Sequence, residues 1–149
     1  MLLKTHLIIT LFFVLVFVSE ATNKTEFVII ALLSTLIPDI DTRFSRIGKS
    51  KLLRIFQFFV RHRGIIHSFT FAGLLTLIFA LVFPAIAFPF FLGYSLHLLA
   101  DTLTIKGIRW FYPARRVYSW RVKTGGKTEM IIFFFFLMLD IYYLFNFVV

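Results

Sequence analysis

Apolar and polar residues are arranged along this chain in long blocks rather than at short period. Residues 5–19 form the first apolar run, residues 20–26 are polar, and a second run at 27–37 stops at Pro38. Eleven residues at about 1.5 Å each cover only about half of a ~30 Å hydrocarbon core. The second helix is therefore expected to begin earlier, near Thr22. Residues 65–83 and 88–104 form two more runs, separated by Pro84-Ala-Ile-Ala-Phe-Pro89, whose two prolines predict a tight turn. The last run, residues 129–149, follows Gly125-Gly126, which interrupts any helix there. Within the polar stretch 38–65, Leu52, Leu53, Ile55, Phe56, Phe58 and Phe59 stand opposite Arg54 and Gln57. That pattern predicts a short helix lying on a membrane surface. The expected architecture is all-α: a polytopic integral membrane helical bundle of about five spans plus a short interfacial helix, forming a single domain over 1–149.

Composition supports a membrane chain. Of the 149 residues, 60% are hydrophobic and 22 are Phe, against roughly half apolar in soluble domains. Cysteine is absent, which excludes disulfides and thiolate ligands. Any metal must be held by His, Asp or Glu, a donor set suited to zinc, manganese, iron or magnesium. The net charge of +9 fits an anionic membrane surface better than nucleic acid in so apolar a chain. A rival reading of residues 5–19 is a signal peptide, with Lys4 as its basic region and cleavage after Ser19-Glu20-Ala21. Cleavage there would discard His6. Asn23-Lys24-Thr25 is a glycosylation acceptor pattern that matters only if its loop lies outside.

The cations are sorted by loop. Residues 38–65 and 105–128 carry seven Lys and Arg each, and Lys4 makes fifteen of the sixteen; only Lys24 falls elsewhere. Five spans with a cytoplasmic N-terminus put all fifteen inside, as the positive-inside rule requires. The expected location is the cell membrane, multi-pass, with the N-terminus and both basic loops cytoplasmic. This winding brings His6, Asp39, Asp41, His62, His67, His97, Asp101 and Glu129 to one membrane level. Histidine and aspartate at the helix ends, with lysine and arginine left to the loops, point to a site rather than to solvation alone.

Three motifs carry the chemistry. His97 and Asp101 are four residues apart, so a helix presents them from one face, able to share a metal ion or a proton. Asp39 and Asp41 flank Ile40 just after a helix stop; in an extended segment both carboxylates lie on one side and can chelate a cation, or one of them can cap the next helix. Arg61-His62-Arg63-Gly64-Ile65-Ile66-His67-Ser68 holds two histidines among cations. His67, nearer the apolar run, reads as a ligand, and His62 as a loop residue or proton donor.

The blocks Leu36-Ile37-Pro38-Asp39-Ile40-Asp41, His62-Arg63-Gly64-Ile65-Ile66-His67-Ser68 and Gly93-Tyr94-Ser95-Leu96-His97-Leu98-Leu99-Ala100-Asp101-Thr102, with Lys106-Gly107, resemble the YdjM-like family of predicted membrane-bound metal-dependent hydrolases. Thr5-His6 is similar to that family's N-terminal Thr-His, and Gly125-Gly126-Lys127-Thr128-Glu129 to its late Gly-to-Glu element. One departure is Thr10, where the family often has a glycine four residues after the histidine. The ligand order also resembles zinc-dependent phospholipase C and P1-type nucleases. That likeness implies a shell of His6, Asp39 or Asp41, His67, His97 and Asp101, with Asp101 able to bridge two metals. The second zinc-binding His pair of those enzymes has no counterpart here.

The implied metal set is His6, Asp41, His67, His97, Asp101 and Glu129, holding one or two divalent ions, zinc first and manganese as the alternative. Asp39 is expected as the base, although the two aspartates can exchange roles, and His62 as the acid for the leaving group. Arg61, Arg63, Arg115 and Arg116 are candidates for holding an anionic headgroup. The expected reaction is hydrolysis of a phosphate ester, a phospholipid or a lipid-linked phosphate, by metal-activated water at the cytoplasmic membrane face. The alternative is a non-enzymatic membrane protein, a cation carrier or scaffold, for which Asp140 is the one acid deep in a span. Aromatic and basic residues interleave from Trp110 to Arg121, a pattern that an interfacial anchor explains better than nucleic-acid binding.

Overall fold

The structure, a computed structural model, describes residues 1–39 and 65–148. Among the described residues five α-helices carry the fold: α1 Leu3–Phe17, α2 Lys24–Leu36, α3 Phe69–Val82, α4 Pro84–Thr102 and α5 Lys127–Val148. Short 3-10 turns, Val18–Glu20 and Ile37–Asp39, extend α1 and α2. The described residues contain no strand, only isolated bridges between Thr104 and Val122 and between Ile108 and Tyr118. The interfacial helix expected at Leu52–Val60 lies outside the described residues.

Three stretches are long and apolar enough to cross a membrane: Leu3–Glu20, Pro84–Thr102 and Lys127–Asn146. The other two helices, at 13 and 14 residues, reach only about 20 Å. Length therefore supports three spans among the described residues, where the block pattern predicted about five.

The helices are apolar on most of their surface, yet their buried faces are partly polar. In α1 the buried residues are Thr5, His6, Ile9, Thr10 and Val14. These lie along one stripe at helical spacing. Small and hydroxylated side chains on the inner face, with Leu and Phe outside, suit a helix whose outer solvent is lipid. α2 starts at Asn23, whose side chain accepts a bond from the Glu26 amide at 3.3 Å. Such a cap satisfies one of the donors that a helix start leaves over, and it explains the start close to the expected Thr22.

α4 is the centre of the bundle: 61% of its span is buried, against 33% for α1 and 11% for α5. α2 and α3 pack on α4, while α5 packs on α1. At Gly93, α4 meets α2 so closely that a Cβ would stand 1.9 Å from the Ala31 carbonyl oxygen. Thr35 Oγ1 lies at the same crossing, 3.0 Å from Thr10 Oγ1, 2.9 Å from the Ala31 carbonyl and 3.2 Å from the Gly93 carbonyl. Thr10, the departure from the glycine of the resembled family, is fully buried in this contact.

The tight turn expected at 84–89 is corrected. Pro84 is the first residue of α4, and Pro89 lies inside it. A proline at the first helical position gives up an N–H that would have no partner in any case. The reversal between α3 and α4 is confined to Phe83, at φ −138° and ψ 71°. α4 thus begins four residues before the predicted run and ends at Thr102.

Beyond α4, residues 103–124 fold back over the end of the bundle. Ile108 and Tyr118 exchange backbone bonds of 3.0 and 2.8 Å, and Ile108 and Val122 are buried. The Trp110 indole donates to Thr102 Oγ1 at 2.9 Å. Gly107 adopts φ +57°, and a Cβ there would meet the Tyr118 carbonyl at 2.3 Å, so the fold-back needs glycine at that point. Gly125, at φ +74°, separates this segment from α5, as the pattern predicted.

Candidate metal centre

Each of the five helices delivers an end to one level of the bundle, and four of those ends carry a donor. His6 lies in the second turn of α1, on its buried stripe. Asp39 ends the 3-10 turn after α2. His67 stands immediately before Ser68, whose hydroxyl caps α3 by accepting from the Phe71 amide at 3.3 Å. The Tyr94 hydroxyl holds that segment by donating to the Ile66 carbonyl at 2.7 Å. His97 and Asp101 sit one turn apart at the end of α4.

The side chains converge. The His6 and His97 rings stack at 4.0 Å with 7° between their planes. Asp101 reaches between them: Oδ1 is 3.4 Å from His6 Nε2 and Oδ2 is 3.9 Å from His97 Nε2. Asp39 Oδ1 stands 3.9 Å from Nε2 of both His67 and His97. Two triads can each hold a metal ion, His6–Asp39–His97 and His67–His97–Asp101, with the donor atoms of each within 4.8 Å of one another. His97 belongs to both. The amine of Met1 also lies against Asp101 Oδ1.

His97 is oriented for ligation. Its Nδ1 is 2.8 Å from the Thr35 carbonyl oxygen. Thr35 lies in the last turn of α2, where carbonyls have no partner further along the helix. An Nδ1–H donated to that carbonyl leaves Nε2 with its lone pair facing the two aspartates, the arrangement that usually orients a ligating histidine. Among the described residues, His97 Nε2 and both ring nitrogens of His6 are buried without a hydrogen-bond partner.

The donor chemistry fits a divalent ion. Bonds of about 2.0–2.1 Å in a tetrahedral zinc site place donors roughly 3.3–3.5 Å apart; within the two triads His97 Nε2 is 3.9 Å from each aspartate and all donor atoms lie within 4.8 Å, so they would draw in around an ion. His6, His67, His97 and Asp101 are buried, whereas the Asp39 side chain is 29% exposed. Asp39 therefore marks the side of the cluster open to solvent.

The other expected site residues are placed differently. Glu129 stands in neither triad; its two oxygens accept from the Leu2 and Gly125 amides, each at 2.6 Å. It ties the start of α5 to the start of α1. Arg115 and Arg116 are exposed on the fold-back segment. The Arg116 guanidinium lies 5.1 Å from the centre of the Tyr118 ring, which stacks on Trp110. Asp41, Arg61, His62 and Arg63 lie outside the described residues. Sequence reasoning missed Thr35, whose contribution is a backbone carbonyl; the Ser34-Thr35 pair in an apolar run is the only signal that a polar contact was due there.

The family model described as YdjM inner membrane protein matches residues 1–148. Comparisons with curated proteins and with solved structures return no match.

Proposed function

We propose, from the premise that the chain belongs to the YdjM inner membrane protein family, that it is a membrane-bound metal-dependent hydrolase acting on a phosphate ester at the membrane surface. The observation that carries this reading is the buried, unpartnered His97 Nε2, with its opposite nitrogen engaged by Thr35 and two aspartates before it. His6, His67, His97, Asp39 and Asp101 would hold one or two zinc ions, with manganese as the alternative. A bound divalent ion supplies Lewis acidity toward a phosphoryl oxygen and makes water nucleophilic near neutral pH.

The chain's own groups do the rest. Thr35 fixes the tautomer and the plane of His97. Asp101, which faces both His6 and His97, would be the carboxylate shared if two ions were held. Asp39, 3.9 Å from both His67 and His97, is proposed as a ligand; of the two interchangeable aspartates, Asp41 would then be the base. His62 is proposed to protonate the leaving group, and Arg61, Arg63, Arg115 and Arg116 to attract an anionic headgroup. A phospholipid or lipid-linked phosphate is the substrate class that suits a site at a helix-end level. The likeness to zinc-dependent phospholipase C rests on ligand order alone. Five crossings are proposed, with the N-terminus and both basic loops cytoplasmic; the meeting of the starts of α1 and α3 with the ends of α2 and α4 supports an alternation, and α2 and α3 would each contribute about 20 Å.

Elemental analysis of the protein purified in mild detergent tests the reading, beside a His97→Ala/Asp101→Ala double variant. One or two equivalents of zinc or manganese in the parent, lost in the variant, is the expected result. No metal in either protein, even after reloading, overturns it. The second reading, a cation carrier or scaffold, rests on Asp140, which is buried in α5 with neither carboxyl oxygen hydrogen-bonded among the described residues. Metal-free protein that moves cations into liposomes, and loses that flux in Asp140→Asn, would favour it.

A further inference from the structure

A second feature lies beside the donor cluster, where the starts of α1 and α5 meet. A recess there is lined by Lys4, Glu129, Met130, Phe133 and Phe134, among others. Its walls differ in kind along its length. At the loop end stands Lys4, exposed, with its ammonium 5.1 Å from the centre of the Phe133 ring. No described carboxylate forms an ion pair with it. Glu129 does not supply one, because its two oxygens accept from the Leu2 and Gly125 amides. Down α5 the recess becomes apolar, and Met130 and Phe134 are 58% and 54% exposed on the outer face of the bundle.

A cation at the rim and an exposed apolar groove below it match one occupant: a lipid with an anionic phosphate headgroup and an acyl chain. The chain would lie on Met130, Phe133 and Phe134 while the phosphate meets Lys4. Zwitterionic lipids offer the same tail but a headgroup with its own cation. Lys4 and His6 lie within one turn of α1 but leave opposite sides of it, Lys4 toward Phe133 and His6 toward His97, so a phosphate at Lys4 shares the level of the donor cluster along the helix while its tail stays in the bilayer. We infer that this recess is the lipid subsite of the protein, taking an anionic phosphate-bearing lipid from the side, through the membrane. The inference rests on the hydrolase reading for its role in turnover, but not for the binding itself.

The test separates the two. The full chain is placed in phosphatidylcholine nanodiscs with a trace of phosphatidic acid or phosphatidylcholine, each carrying a diazirine on its acyl chain. Cross-links are then mapped by peptide mass spectrometry. The expected result is phosphatidic acid cross-linking at residues 130–134 about fivefold above phosphatidylcholine, the worth of roughly 1 kcal/mol for one cation at a membrane surface. Lys4→Gln should reduce that ratio to about one, whereas Lys106→Gln, on the exposed fold-back segment, should keep it. Equal yields from the two lipids, or a preference that survives Lys4→Gln, overturns the subsite. A preference that persists in the metal-free His97→Ala/Asp101→Ala protein shows that binding stands apart from the hydrolase reading. If the parent binds metal yet shows no lipid preference, the recess alone has failed.

Discussion

His97 has each ring nitrogen assigned a different task by its surroundings: Nδ1 to the Thr35 carbonyl and Nε2 to the space between Asp39 and Asp101. The four-residue spacing to Asp101 was legible in the sequence, because helical periodicity alone puts both on one face. The Thr35 carbonyl was not, because every residue carries one and only packing decides which is within reach. Asp140 presents the opposite situation. It is 2% exposed, and neither carboxyl oxygen has a hydrogen-bond partner among the described residues. A buried polar group left unpaired costs about 1–3 kcal/mol. Asp140→Leu is therefore expected to raise the thermal unfolding midpoint in detergent and to leave metal content unchanged. A lowered midpoint would mean that Asp140 has a partner in the membrane, such as a bound ion.

The crossing of α2 and α4 depends on Gly93. A methyl group there would overlap the Ala31 carbonyl, and α2 would have to move away. Overpacking of this kind costs about 1–3 kcal/mol. It also acts at a distance, because Thr35 is on the helix that moves. Gly93→Ala is expected both to lower the unfolding midpoint and to reduce bound metal, read by thermal melts and by elemental analysis. Loss of stability with full metal retention would show that the Thr35 contact does not depend on this crossing. The same element shows why prolines misled the sequence reading. Pro84 and Pro89 carry turn propensity, but Pro84 begins α4 and Pro89 is accommodated within it. Burial of Phe90, Tyr94 and Leu98 in the main core cluster holds the helix through both prolines, and packing overrides local preference.

The charge pattern belongs to the molecule as a whole, since it compares loops distant in sequence. Absence of cysteine makes its orientation directly measurable. Thr22→Cys and Ser119→Cys place single thiols at exposed positions on the α1–α2 connection and on the fold-back segment. In intact cells a membrane-impermeant maleimide is expected to label Thr22→Cys at once and Ser119→Cys only after permeabilisation. The reverse order would invert the topology, and labelling of both from outside would reject the alternation of five crossings. Either result would place the donor cluster and the Lys4 recess at a different face from the one proposed.

Membrane character, the helical class, the approximate blocks and the interest of His6, Asp39, His67, His97 and Asp101, which the structure brings together, were readable in the chain. They follow from composition and local period, which each segment carries without its neighbours. Packing had to supply the rest. It brought His6 onto His97 across the bundle, set Asp39 rather than Glu129 beside His67 and His97, and joined Thr10 to Thr35. Distances between side chains on different helices, and the choice of which backbone carbonyl meets which ring nitrogen, exist only once the helices have crossed. In this chain that crossing turns on the single missing Cβ of Gly93.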